Sequence, residues 1–455
     1  MNVTLETMPL WASIPFVLML LMIAVCPLIG KLEHWWEKNI NKLLISLILG
    51  IPVAIFLIYN GLTHNLVHQL LFDYVPFIIL LCSLFVITGG IHLKGDIEAT
   101  PKINTLFLAI GAVLASVMGT TGAAMLLIRP IIRTNVERKF KVHTMLFFIA
   151  VVANCGGLLT PLGDPPLFLL YLRGAEFTWF LNLVPEWAFT IALLLLVYYL
   201  MDRHFYKKEN AADILLDKTN KQPIRLEGTL NFVWLLGVVA SVAFINDGTI
   251  SQMKDNPETG YVAPMWIKFL REYVLVALII ISMLTTKKKV RKDNKYSWTP
   301  IIEVAVLFLG IFTTMVPTMM YLKTNAASWG LDSTWQFYYL TGAMSSFLDN
   351  APTALAFHGV ASGLSPETIA TLGSGTVAGI PEILLKAISV GAVFFGAMTY
   401  IGNGPNFMVK SIAEENGIKM PSFFGYIAKF SLTVLLPIYI LTQVIFLWLI
   451  PMLTA

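Results

Sequence analysis

Gly157-Leu-Leu-Thr160-Pro-Leu-Gly163-Asp164-Pro-Pro166-Leu-Phe168 sits inside an apolar segment, residues 143–172, and breaks it. Its prolines lack an amide hydrogen and clash with the preceding helical turn, so no continuous α-helix runs through it. The flanks are too apolar for a solvated loop. Backbone freed in such surroundings needs protein or a watery cavity to receive it, which makes the break a candidate binding place. A second stretch, Gly396-Ala-Met-Thr399-Tyr-Ile-Gly402-Asn403-Gly-Pro405-Asn-Phe407, lies within residues 383–408. It matches the first at Gly, Thr, Gly, Pro and Phe without a gap, from 157 to 396, a step of 239.

The rest of the chain says what these breaks are embedded in. Of 455 residues, 57% are apolar and 13% charged, with a mean hydropathy of +0.74, whereas a soluble globular chain carries about 25% charged residues. Runs of about 20 apolar residues recur between Leu10 and Ile450, the length that takes a helix through roughly 30 Å of hydrocarbon. They are too long for barrel strands, so the expected fold is an all-α polytopic membrane protein. The first ten residues, MNVTLETMPL, hold no Lys or Arg, and no small-residue cleavage site follows, so no secretory signal peptide is expected. Cys26, Cys82 and Cys155 lack metal-ligand spacing and read as packing residues. The net charge of +4 comes from Lys and Arg clustered in short connections, with no nucleic-acid footprint.

Apolar segments fall at 10–30, 43–60, 75–93, 103–133, 143–172, 178–201, 229–247, 272–286, 300–321, 335–358, 383–408 and 423–453. Connections 31–42, 129–141, 203–225 and 287–295 are rich in Lys and Arg, while 61–74 and 359–381 have none. The positive-inside rule puts the first group in the cytoplasm and the second group outside. Simple spans fail this parity, because the connections on both sides of 103–133 must be cytoplasmic. That segment, interrupted by Gly119-Thr120-Thr121-Gly122, therefore reads as a re-entrant helical hairpin. Segment 335–358, interrupted by Asp349-Asn350-Ala351-Pro352, reads as a second hairpin opening from the other side.

The expected organisation is two inverted repeats, each with a re-entrant hairpin and a broken transmembrane helix. The first covers 1–201, with hairpin 103–133 and broken helix 143–172. A cytoplasmic linker covers 202–228. The second repeat covers 229–455, with hairpin 335–358 and broken helix 383–408. The stretch Ser116 to Leu126 aligns without a gap on Ser345 to Leu355, a step of 229 from 116 to 345.

All four interruptions carry hydroxyl, amide or carboxylate oxygen and almost no nitrogen or sulfur donors, which suits a hard cation such as Na⁺. A carboxylate at bilayer depth usually marks an ion or proton path, which singles out Asp164 and Asp349. Desolvation favours the neutral form of a carboxyl group, so one group can hold a proton and a cation in turn. The competing reading is that each Asp caps a broken half-helix. Thr120, Thr121, Thr160, Asn350, Thr399, Asn403 and Asn406 flank the breaks as further ligands or as backbone satisfiers. Glu303 and Asn154 are secondary candidates for coupling; Glu303 lies close to Trp298 and Pro300, where it can instead snorkel to the interface. His92 and Asp96 read as interfacial. Trp35 and Trp36, with Lys31, Glu33 and Lys38, read as an interfacial turn, and Gly373 to Gly379 lacks the lysine of a phosphate loop. No catalytic dyad, His-rich metal motif or charged pore ring is readable, so neither an enzyme nor a channel is expected.

The motifs GTTGAAMLLIRP, NCGGLLTPLGDPPLFLLYLRG, FLDNAPTALAF and GAMTYIGNGPNFMVKSIAEENG resemble those of the ion transporter superfamily. Within it the chain looks like the NhaD-type sodium/proton antiporters and citrate-transporter-like proteins. The resemblance implies an inner-membrane homodimer with an outer scaffold and an elevator-like moving domain. Dicarboxylate symporters of that superfamily carry Ser-Asn-Thr at both hairpin tips. Here the tips are Thr120-Thr121-Gly122 and Asp349-Asn350-Ala351, and a fixed negative charge repels a dicarboxylate. The expected function is therefore sodium/proton antiport, with Na⁺ at Asp164 and Asp349 and no cofactor. The alternative is Na⁺- or H⁺-coupled uptake of citrate or a dicarboxylate.

Overall fold

The computed structural model describes residues 8–256, 258–373 and 375–454. The N-terminal stretch up to residue 7, the side chains of Lys31 and Glu33, and Ser374 of the glycine-rich loop lie outside the described residues, and the readings that rest on them stay untouched. Among the described residues, seven helices are long and apolar enough to cross a membrane: Asn39–Tyr59, Thr63–Thr88, Pro101–Met118, Val142–Leu159, Phe177–Tyr206, Thr299–Trp329 and Phe423–Leu453. The chain is a polytopic helical membrane protein.

In chain order, α1 is Leu10–Val25, α2 Asn39–Tyr59 and α3 Thr63–Thr88. Strand β1 (His92–Asp96) follows, then α4 (Pro101–Met118), α5 (Thr120–Thr134), α6 (Val142–Val151) and α7 (Pro165–Leu172). Next come α8 (Phe177–Tyr206), α9 (Ala211–Thr219), β2 (Gln222–Glu227), α10 (Leu230–Phe244), α11 (Leu270–Thr285) and α12 (Thr299–Asn325). The last stretch holds α13 (Thr334–Phe347), α14 (Asn350–Ser362), β3 (Thr376–Val377), β4 (Ile380–Pro381), α15 (Glu382–Phe395) and α16 (Gly404–Glu415), and it ends in α17 (Phe423–Leu453).

Local chemistry sets the boundaries that matter. Thr100 accepts the Ile103 amide at 3.3 Å and Pro101 opens α4, a capped start with proline where no amide is missed. Gly119 separates α4 from α5 at φ +80°, a conformation that costs a side-chain-bearing residue but not glycine. Ser333 and Gln336 form a capping box at α13, and Asp349 caps α14. Helices α13 and α14 have 14 and 13 residues; at 1.5 Å per residue each reaches ~20 Å, short of the hydrocarbon thickness.

The helices fall into two packed groups. In one, α2 runs along α12, α1 lies against both, and α10 and α11 pack on α3. In the other, α4, α5, α6 and α8 pack with α13, α14, α15, α16 and α17 around the two interruptions. Val142–Leu159, at the centre of the second group, is the most buried of the seven spans at 83%, against 28% for α2 at the edge of the first. The groups meet where α14 lies on α12 and α5 on α3.

One expectation is corrected. Residues 61–74 are not an outer loop: the helix starts at Thr63 and runs through a π-wound turn, Gln69–Tyr74, into the apolar run. Gln69 and Asp73 are polar but buried, because Arg173 bonds both. The connection 94–102 and the stretch 203–225 also contain ordered structure, since β1 and β2 pair antiparallel, with Lys94 bridging Glu227 and Asp293. A Cβ on Gly228 would sit 1.9 Å from the Gly90 carbonyl, so this clamp needs glycine at its end.

Candidate ion-binding site

The site is built by the two interruptions of Val142–Leu172 and Glu382–Glu415 and the two tips at Gly119 and Leu348–Asp349. At the first interruption the chain folds back so closely that a Cβ on Gly163 would lie 1.9 Å from the Gly157 carbonyl. At the second, the same substitution at Gly402 would lie 2.7 Å from the Gly396 carbonyl. Thr160 closes the first turn by donating to the Ser116 carbonyl and accepting the Leu162 amide at 3.2 Å. Thr399 does the same in the second, donating to the Ser346 carbonyl and accepting the amides of Ile401 and Gly402. Ser116 donates to the Gly156 carbonyl and Ser346 to that of Phe395. These contacts equate Ser116 with Ser346, a step of 230 rather than the 229 of the gapless alignment. Thr120 then corresponds to Asn350, Gly119 to Asp349 and Asp164 to Asn403.

Those corresponding residues converge on one carboxylate. Asp164, 1% exposed, precedes the Pro165-Pro166 start of α7 and caps no helix amide with its side chain. One oxygen, Oδ1, accepts from Thr120 Oγ1 at 2.8 Å and from Asn403 Nδ2 at 3.1 Å. The other, Oδ2, accepts from Asn350 Nδ2 at 2.6 Å. Hydrogen bonds to a charged group contribute roughly 1.5–3 kcal/mol each. Three of them offset part of the cost of burying the carboxylate. Among the described residues no cationic side chain is bonded to Asp164.

Behind this cluster Asn154 accepts from Asn403 through Oδ1 and donates to Asn406 Oδ1 at 2.6 Å. Asn406 in turn donates to the carbonyls of Gly396 and Thr399, at 2.7 and 2.9 Å. The amide chain holds Asn403 against Asp164 across both interruptions.

Residues 5–447 match the model of a family described as "Putative citrate transport". The chain belongs to this family. The uncharacterized transporters Mb2703 of Mycobacterium bovis and Rv2684 of Mycobacterium tuberculosis are each 24% identical to it over 435 residues, 91% of this chain and 94% of theirs. Inner membrane protein YbiR of Escherichia coli is 29% identical over 132 residues, 26% of this chain and 36% of the length of YbiR. Family and relatives indicate a membrane transporter.

In this family member the remaining candidates occupy different places. Asp349, half-buried, bonds the Ala351 amide at 3.0 Å as the cap of α14. It is the chain neighbour of Asn350 and makes no hydrogen bond to Asp164. Thr121 faces a cleft of about 80 Å³, walled by Leu84, Phe85, Met118, Leu162, Ile301 and Val304. The cleft reaches the first interruption at Gly163 and Pro165 from the end of α12 that follows the basic stretch 287–295. Glu303 is not in the cluster: it pairs with Lys42 at 2.6 Å, near the starts of α12 and α2. Sequence reasoning left out Ser116 and Ser346, whose signal was only their place in the aligned stretches. It also passed over Asp73, hidden in what read as a polar connection.

Proposed function

We propose that this transporter exchanges protons for an alkali cation, Na⁺ foremost, at Asp164, in the manner of the NhaD-type antiporters it resembles. One observation carries the reading: a fully buried carboxylate with no structural capping duty lies where all four interruptions meet. The donors around it suit such a cargo. Carboxylate, hydroxyl and amide oxygens are the ligands of hard cations, and no cluster of three or more His, Cys, Asp or Glu able to hold a transition metal occurs among the described residues. Asn350 Oδ1 is buried without a hydrogen-bond partner, an acceptor ready for a cation. A cation at Asp164 replaces its hydrogen-bond donors with direct charge; when the cation leaves, a proton takes its place. Asp349 tunes the site from the neighbouring tip, while Thr121 lines the access route, and Thr160, Thr399, Asn154 and Asn406 hold the geometry.

The same reading takes the recurring contacts as two inverted repeats, 1–201 and 229–455 joined by the linker 202–228, and each helix pair at a tip as a re-entrant hairpin. The central group then moves past α1–α3 and α10–α12 like an elevator, in a homodimer of the inner membrane. Everted vesicles acidified by respiration test the exchange: adding Na⁺ should dequench a pH dye, and no response with abundant protein sinks the reading.

One observation favours citrate or dicarboxylate symport as a second reading, besides the family description. The N-terminus of α5 opens on the cleft with no side-chain cap, whereas α14 is capped by Asp349. Uncapped helix N-termini attract carboxylates. Uptake of labelled citrate into proteoliposomes separates the two, since exchange alone gives none.

A further inference from the structure

The two ends of the contact between the helix groups differ. Towards the basic end lies the cleft. At the other end the groups touch closely: a Cβ on Gly363 would sit 2.0 Å from the Lys323 backbone carbonyl of α12, and one on Gly359 would sit 2.5 Å from the end of the Met319 side chain. Gly359 on α14 and Gly363 just past its end, one turn apart, allow this close approach, as small residues do at other tight helix crossings in membranes.

Charge closes the same end. Arg173, at the C-terminus of α7, donates to Asp73 Oδ2 at 2.7 Å and to Gln69 Oε1 at 3.4 Å. Asp73 is 4% exposed and lies in the π-wound turn of α3; such turns often mark functional positions. Two residues earlier, Tyr171 accepts from Arg271 of α11 at 3.2 Å and donates to the Val242 carbonyl at 2.8 Å. The end of α7 is therefore held to the other helix group by α3 and α11 together. Because α7 begins at Asp164, whatever holds its far end also fixes the carboxylate.

We propose that the Asp73–Arg173 pair is a latch that keeps the cleft open towards the basic end and the site shut towards the other, and that it must break for Asp164 to be reached from that other side. An ion pair with its carboxylate buried and its guanidinium partly exposed suits a latch. It holds firmly when the geometry is met, and its members need water once parted, so intermediate positions are disfavoured. The inference rests on the reading of two mutually mobile helix groups, but not on which ion is carried.

Thiol labelling tests it on purified full-length protein in detergent. A cysteine replaces Thr121 in a background with Cys26, Cys82 and Cys155 changed to serine or alanine, and its rate of reaction with a polar maleimide reports cleft opening. With the latch intact the thiol reacts readily. In Asp73→Asn and in Arg173→Gln the rate should fall by about threefold or more as the closed-cleft population grows, and the charge-exchanged Asp73→Arg/Arg173→Asp protein should recover part of it. If Arg173→Gln does not accumulate, Arg173→Lys keeps the charge without the fork and should fall between the two. Unchanged rates in Asp73→Asn and the Arg173 variant overturn the latch, whatever the vesicle assay says about exchange.

Discussion

The two interruptions share their backbone contacts and differ in their chemistry. Thr160 and Thr399 close equivalent turns, Ser116 and Ser346 brace them, and Gly163 and Gly402 allow them. At the centre, however, the first half supplies a hydroxyl and a carboxylate, Thr120 and Asp164, and the second supplies two amides, Asn350 and Asn403. The one acidic residue at the second tip, Asp349, takes the place of Gly119 and satisfies a helix end. The comparison teaches that the unwinding is a scaffold used twice, while the carboxylate at its centre is placed once.

The largest effect should come from removing that charge. Asp164→Asn keeps size and hydrogen bonding but can neither release a proton nor neutralise a cation, so exchange should fall by at least about 100-fold. Vesicle dequenching reads the loss, and an unchanged gel-filtration profile shows that the fold survives. Next come the turns. Gly163→Ala forces a methyl against backbone that cannot yield, costing about 3 kcal/mol, with Gly402→Ala milder because its clash is less severe. Thermal melts of the two should rank in that order, and Gly404→Ala, with open space around its Cα, should melt like the parent.

Asp349 sharpens the contrast. Asparagine caps a helix as well as aspartate, and alanine loses about 1 kcal/mol. Asp349→Asn should therefore keep both stability and exchange within about threefold, and Asp349→Ala should lower the melting temperature alone; a collapse of exchange in Asp349→Asn would move its carboxylate into the transport step. The smallest effect on exchange belongs to the peripheral pair. Glu303→Gln leaves the Lys42 ammonium, 4% exposed, without its carboxylate, so it should lower the melting temperature while leaving exchange intact.

The membrane fold and the four interruptions were legible because apolar length and misplaced glycine, proline and aspartate are local signals. Asp164 was legible for the same reason. What was not legible depends on contacts between distant segments. Gln69 and Asp73 read as a polar connection because their partner, Arg173, lies 100 residues away in the case of Asp73. Lys94 and Glu227 gave no strand signal, as β1 and β2 are short and pair across a separation of 133 residues, from the middle of the first half to the linker after it. The tip alignment slipped by one because Ser345 and Ser346 are adjacent, and only their hydrogen bonds tell which one corresponds to Ser116. Thr120 and Thr121 are likewise neighbours of one kind, and helix phase sends the first to Asp164 and the second to the cleft.

Proton release on cation binding tests the centre of this account most directly. Purified protein in weak buffer with a pH dye is mixed with NaCl, with choline chloride as the control. The expected result is release of up to about one proton per chain in the parent protein and none in Asp164→Asn, as binding of a cation to a protonated ligand requires. Equal release from both proteins, or none from the parent across pH 6–8, would contradict the assignment of Asp164 as the group that alternates between the two.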